Sequence, residues 1–275
     1  MVLGRSRICA VALLAIASFT GCKPDAAVKD PAIVGRGTTD QPTPQLNPAR
    51  DSGAPPTADS PTGAITGTII FHGKVPAKTI DTSMDPACSP HGPAKLPVEQ
   101  YVANNGKLAN VFLYVKDGPP EAMSASSTVQ QPAILDQVHC QYVPHVIGVM
   151  QGGYIEFRNS DASTNNVHTQ PTDIRNETID VSIGPHGIPQ TKQFRRPELM
   201  IPVRCNNHPW MNAFINVSAT PFFAVSDASG HFELRNLPVG TYTIGAVHEK
   251  MGEKTMQVTV TADHVSKAEF SFAGQ

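Results

Sequence analysis

The stretch "FAVSDASGHFELRNLPVGTYTIGAVHEK", residues 223–250, sets the terms for the fold. Phe232 alternates with Leu234, and Tyr242 with Ile244 and Ala246, so one face of each run is apolar and the other is not. A period of two belongs to a half-buried strand. "DASG", "LPVG" and, further on, "TADH" carry the residues that reverse a chain. The same signature opens the folded sequence at "GAITGTIIFHG" and continues in "EQYVANNGKLANVFLYVKDG", where "NNG" marks a turn before the buried strand "NVFLYV". No stretch offers a long amphipathic helix, and 21 Gly with 25 Pro suit short strands and many turns. The expectation is an all-β chain. A formal net charge of -2 shows no basic excess, which argues against a nucleic-acid partner.

The N-terminus has a different character. Arg5 and Arg7 precede "ICAVALLAIASFTG", an apolar run too short to span a bilayer. It ends at "FTGC", which resembles the lipobox of bacterial lipoproteins, with Phe19 where that family usually carries Leu, Val or Ile. The resemblance implies that residues 1–22 are a signal, that Cys22 is lipidated, and that the chain is exported and anchored by its lipid, in the outer membrane rather than the inner. An ordinary signal peptide is the alternative. Residues 23–62 hold eight prolines and almost no large apolar side chain, the composition of a disordered tether.

An oxidising compartment makes the remaining cysteines informative. Cys88, Cys140 and Cys205 cannot all pair. Only Cys205, in "VRCNNHPWMNAF", has ligand residues at loop spacing, so Cys88 and Cys140 are expected to form the disulfide. The rival is a zinc or second copper site built from "CSPH" and "HCQYVPH", with His91, His139 and His145. "HEKMG" at His248 lacks the second His of a zinc-protease helix and lies in a strand context.

Two resemblances follow. "ITGTIIFHGKVP", "ANVFLYV", "AVSDASGHFELRNLPVGTYTIGAVHE" and "QVTVT" are similar to the carboxypeptidase regulatory-like domain, a transthyretin-type β-sandwich. They fall in 63–118 and 220–272, which implies one sandwich interrupted by an insertion at 119–219; two successive domains are the alternative. Within the insertion, "GGYIEFRNSD" and "CNNHPWM" resemble the cupredoxin family, the Greek-key blue copper sandwiches of amicyanin and plastocyanin type.

That resemblance implies a mononuclear copper held by the Cys205 thiolate, the His208 imidazole and the axial Met211 thioether. A soft thiolate, imidazoles and a weak thioether are what copper needs to cycle between two oxidation states. It also implies electron passage through an exposed His208 edge beside Pro209 and Trp210, and a redox partner protein. His145 is expected to buttress the copper domain. The second imidazole is the departure. The family's first ligand His falls six residues after Asn159, on Asn165, and His168 matches its second, non-ligand His. Three outcomes stay open: His168 reaches the site, Asn165 or water fills the place, or the site is degenerate. The function implied is one-electron transfer by a protein that is not an enzyme. Alternatives are a non-redox binding or structural lipoprotein, and copper storage or delivery.

Overall fold

A computed structural model describes residues 60–83, 85–86, 88, 95–126 and 131–274. The expected signal, Cys22 and nearly all of the tether lie outside these residues, as does His91. Among them are twenty strands and one helix of four residues, so the chain is all-β. No helix among them is long and apolar enough to cross a membrane.

The N-terminal part supplies β1 (Thr62–His72), a ribbon of β2 (Thr79–Asp81) with β3 (Lys95–Pro97), a hairpin of β4 (Ala103–Asn104) with β5 (Lys107–Leu108), β6 (Phe112–Asp117) and the helix α1 (Pro120–Met123). Asn105 and Gly106, the two residues between β4 and β5, both have positive φ (49° and 70°). That is the turn whose twist matches paired strands, and it is the reason "NNG" reverses the chain here.

The middle of the chain holds β7 (Ala133–Val138), β8 (Gln141–Val143), β9 (Val146–Met150), β10 (Tyr154–Asn159), β11 (Asn165–Thr169), β12 (Asp180–Ile183), β13 (Gln190–Gln193), β14 (Glu198–Arg204) and β15 (Asn212–Ser218). They form two sheets, β13-β10-β7-β8 and β12-β11-β14-β15-β9. The parallel pairs β7/β10 and β9/β15 sit among antiparallel neighbours. Leu135, Tyr142, Phe157, Val167, Phe194, Val203 and Ile215 fill the space between the sheets, together with Cys205 and Met211.

The C-terminal part adds β16 (Phe223–Val225), β17 (His231–Pro238), β18 (Gly240–His248), β19 (Gly252–Val260) and β20 (Val265–Ala273). β1 pairs antiparallel with β17 and parallel with β20, so the two ends of the folded chain share one sheet. The facing sheet is β16-β6-β18-β19. Ile65, Ile69, Leu108, Leu113, Phe232, Leu234, Tyr242, Ile244, Phe270 and Phe272 make this second core.

A smaller apolar cluster joins the two cores. Phe112 and Val247, on the outer face of β6 and β18, pack with Val146, and Phe214 and Phe223 flank them. This is why "NVFLYV" is apolar on both faces: Leu113 points into its own sandwich and Phe112 into the neighbour. Gly148 of β9 has to be glycine, because a Cβ there would stand 2.7 Å from the rings of Phe112 and Phe223. Beside the cluster, buried His145 bonds Glu249 of the β18–β19 turn (Nε2 to Oε1, 2.7 Å), while its Nδ1 lies 3.2 Å from the Asn212 carbonyl. Polar and apolar contacts therefore both fix one sandwich against the start of β15 in the other.

Candidate metal centre

Cys205 directly follows β14, and the loop to β15 carries it with His208 and Met211. The loop closes on itself: the Cys205 N–H donates to the Met211 carbonyl (3.3 Å) and the Met211 N–H to the His208 carbonyl (3.0 Å). It is tied to the start of β11 as well. The Asn206 N–H reaches Asn166 Oδ1 (3.3 Å) and Asn207 Nδ2 reaches the Thr164 carbonyl (2.9 Å). A loop fastened at this many points presents its side chains in one arrangement.

The three loop residues turn inward. Cys205, His208 and Met211 are 4%, 3% and 2% exposed. His208 Nδ1 lies 3.7 Å from Cys205 Sγ, and the Asn166 N–H donates to that sulfur at 3.4 Å. Cys205 is the free cysteine among the described residues; Cys88 and Cys140 are joined by a disulfide. Burial pushes the Tyr142 hydroxyl well above its usual pKa, helped by the proximity of the Cys205 sulfur, and that hydroxyl donates to the Asn166 carbonyl. Tyr142 thereby fastens the peptide whose N–H faces the thiol.

The outer edge of His208 is not open to solvent, contrary to the expectation of an exposed electron port. Its Nε2 lies 2.8 Å from Asp85 Oδ2 and 3.5 Å from Cys88 Sγ. Trp210 sits against the ring at 5.2 Å between centroids and donates its indole N–H to the Cys140 carbonyl (3.1 Å). Asp85 and the Cys88–Cys140 disulfide thus lid the edge that sequence spacing left bare.

His168 does not join the thiol. β11 places Val167 in the core, and His168 points the other way, half-buried, with Nδ1 3.2 Å from Asn206 Oδ1. Strand alternation decides this: three positions from Asn165 is the opposite face. Asn165 itself is fully buried. Its Nδ2 donates to Asn159 Oδ1 (3.1 Å) and Asp161 Oδ2 (2.8 Å). A carboxylate only accepts, so the atom facing Asp161 must be the amide nitrogen. Asn165 Oδ1 is then left buried with no hydrogen-bond partner among the described residues, and an orphaned buried acceptor is rare.

Those donors fit a copper ion. A thiol, an imidazole Nδ1 and a thioether are the soft and borderline set copper takes, and the orphaned amide oxygen lies one residue before the N–H that faces the sulfur. The rival site is placed differently from expectation. Cys88 and Cys140 meet His208, not His139 or His145.

Two residues of the site were given no role by the sequence. Asp161 accepts from the His139 and Cys140 N–H groups and from Asn165, tying the disulfide turn to β11. It stood in the "GGYIEFRNSD" pattern as a matched letter only. Asp85 lies 123 residues from its partner, beyond the reach of any local pattern.

The sequence matches no protein-family model and no curated protein. Solved structures similar to it include a copper-containing nitrite reductase from Thermus scotoductus SA-01, 22% identical over 34% of this chain and 24% of that one, at a TM-score of 0.29. A methionine-to-alanine mutant of amicyanin in its Cu(I) form is 16% identical over 38% of this chain and 97% of that one, at 0.29. A purple cupredoxin from Nitrosopumilus maritimus is 17% identical over 31% and 99%, at 0.26. This chain spans about a quarter of the reductase's length, and each likeness covers about a third of this chain.

Proposed function

We propose that this protein is an exported, lipid-anchored carrier of single electrons, with one copper on Cys205, His208 and Met211 and the Asn165 amide oxygen in place of a second imidazole. The observation that carries the reading is the Cys205 thiol: buried, outside any disulfide, faced by His208 Nδ1 at 3.7 Å and by a backbone N–H at 3.4 Å. An unbridged thiol in an oxidising compartment is a liability unless something occupies it.

Bound copper would supply a one-electron couple. The chain supplies everything else. Burial excludes water from the thiolate, the Asn166 N–H stabilises its charge, and Asp85 fixes the orientation of the His208 ring. Because the imidazole edge is lidded, a redox partner would meet the surface around it: Asp85 and the exposed Asn206, Asn207 and Pro209. The disulfide supports export, since such bonds persist where the surroundings oxidise. Catalytic turnover is not part of this reading.

Loading with Cu(II) tests it. Intense visible absorption from thiolate-to-copper charge transfer is expected, lost in Cys205→Ser. A copper-loaded, colourless protein in which Cys205 still titrates as a free thiol would overturn it. The missing imidazole favours a second reading, copper storage or delivery, or a structural sandwich with a degenerate site. Tight Cu(I) binding without a reversible couple marks the former. Unchanged partner binding by metal-free Cys205→Ala marks the latter.

A further inference from the structure

His208 presents its second nitrogen to a different pair of sulfurs. The Cys88 and Cys140 sulfurs and a His208 nitrogen all lie within 4.8 Å of one another, and all three residues are buried. Cys88 Sγ is 3.5 Å from Nε2, the atom on the far side of the ring from Cys205. The Asp85 carboxylate borders the same nitrogen at 2.8 Å. Two sulfurs, an imidazole and an adjacent carboxylate, drawn from three separate segments, are more than a cross-link requires.

We propose that Cys88, Cys140 and His208 Nε2 form a second metal site when the two cysteines are thiols, that it takes a thiophilic d10 cation, Cu(I), and that closing the disulfide abolishes it. The sulfurs cannot ligate while bonded to each other, because the thiolate is the ligand. The balance is that of thiol–disulfide exchange. A dithiol reductant gives two electrons and two protons to the Cys88–Cys140 bond, its own sulfurs join, and two protein thiols result. Both thiols lose their protons as the cation enters. Two thiolates and one imidazole make the three-donor soft set that Cu(I) accepts, and burial keeps water from competing. Oxidation runs the sequence backwards and expels the cation. The disulfide and the cation are alternative occupants of one place.

The site shares a ring with the Cys205 centre, and a neutral imidazole has one nitrogen free to ligate, so Nε2 binds here only when its proton has moved to Nδ1 and Cys205 holds no copper. The test therefore uses the full-length Cys205→Ser chain, prepared anaerobically with the disulfide either intact or opened by a dithiol that is then removed. Cu(I) is titrated in competition with a chromogenic Cu(I) chelator, and the readout is the difference between the two preparations, which cancels any uptake by Cys9 and Cys22. One additional equivalent in the opened protein is expected. No additional uptake in the Cys88→Ser, Cys140→Ser double variant is expected, and at least a tenfold weaker additional site in His208→Gln. Equal uptake by the opened and intact proteins overturns the proposal. So does undiminished additional uptake in His208→Gln, the result an unfolded dithiol chain would give, since only the folded chain brings the imidazole to the thiols.

Discussion

The Asp85 carboxylate lies 2.8 Å from His208 Nε2, across the imidazole from the Cys205 thiol. A carboxylate on the outer nitrogen holds the ring in the tautomer that leaves Nδ1 free to bind, and makes that nitrogen a stronger donor. The same contact explains why His208 is buried although its loop lies at one end of the sandwich.

Asp85→Asn should therefore weaken copper binding by about 10- to 100-fold. Loss of the negative charge also favours Cu(I) over Cu(II), so the reduction potential should rise, on the order of 60 mV for a tenfold change in relative affinity of a one-electron couple. Redox titration of the loaded variant reads this directly. An unchanged potential and affinity would mean that the contact only caps the ring.

An imidazole at position 165 makes a second test. Asn165→His places a nitrogen donor where an orphaned amide oxygen now sits, and the charge-transfer absorption of the Cu(II) protein should sharpen and intensify. Asn165→Ala should do the opposite and weaken the fold. It takes a donor at 2.8 and 3.1 Å from Asp161 Oδ2 and Asn159 Oδ1, which keep the Cys140 and Asp161 N–H groups, and each hydrogen bond lost costs about 0.5–1.5 kcal/mol. Copper spectra of Asn165→His identical to those of the unaltered protein would remove Asn165 from the site.

The fold was largely legible because strands write themselves in alternation and turns in residue type. Asn105 and Gly106 announced a turn through their tolerance of positive φ, and Ile65, Ile69 and Phe71 announced a buried face. The loop residues Cys205, His208 and Met211 were legible through spacing. Whether His168 would reach the site stayed open in the sequence; in the structure, strand alternation turns it away from Asn165. What local pattern could not carry was anything decided by distant segments. Asp85 and Cys88 lid His208 from more than a hundred residues away. Nothing in "VPHVIGV" or "HEKMG" told that His145 would bond Glu249 across two sandwiches.

That pair makes the third prediction. The His145 and Glu249 side chains are only 2% and 3% exposed. Removing Glu249 leaves His145 with the Asn212 carbonyl at 3.2 Å and Glu99 at 3.7 Å but without its shortest contact, and a lost hydrogen bond to a charged group costs about 1.5–3 kcal/mol. Glu249→Ala should lose stability on that scale in urea unfolding. The His145→Ala, Glu249→Ala double variant should lose less than the sum of the two single changes, because neither residue then lacks its partner. Strict additivity would show that the two act separately. Burial already pushes the neighbouring Glu99 carboxyl above its ordinary range, so this interface tolerates added charge poorly.

His248, the last residue of β18 and the neighbour of Glu249, adds a pH dependence. It is almost wholly buried, stacks on Tyr101 at 5.8 Å, and its Nδ1 accepts the Lys250 N–H at 3.2 Å. The ring proton must then sit on Nε2, which has no partner among the described residues. Charging the ring would require desolvating a cation, so burial lowers its pKa from 6.5 to about 4; Glu249 opposes that shift, while His145 and Lys250 add to it. Between those two values the unfolded chain binds the proton and the folded one does not. Stability from this group is complete above about pH 6.5 and is lost as the pH falls toward 4, by about 2 kcal/mol between pH 8 and pH 5. Urea unfolding of His248→Phe, which keeps an aromatic ring against Tyr101 and cannot titrate, should show a shallower fall over that window. An equal slope in both proteins would place the titrating group elsewhere.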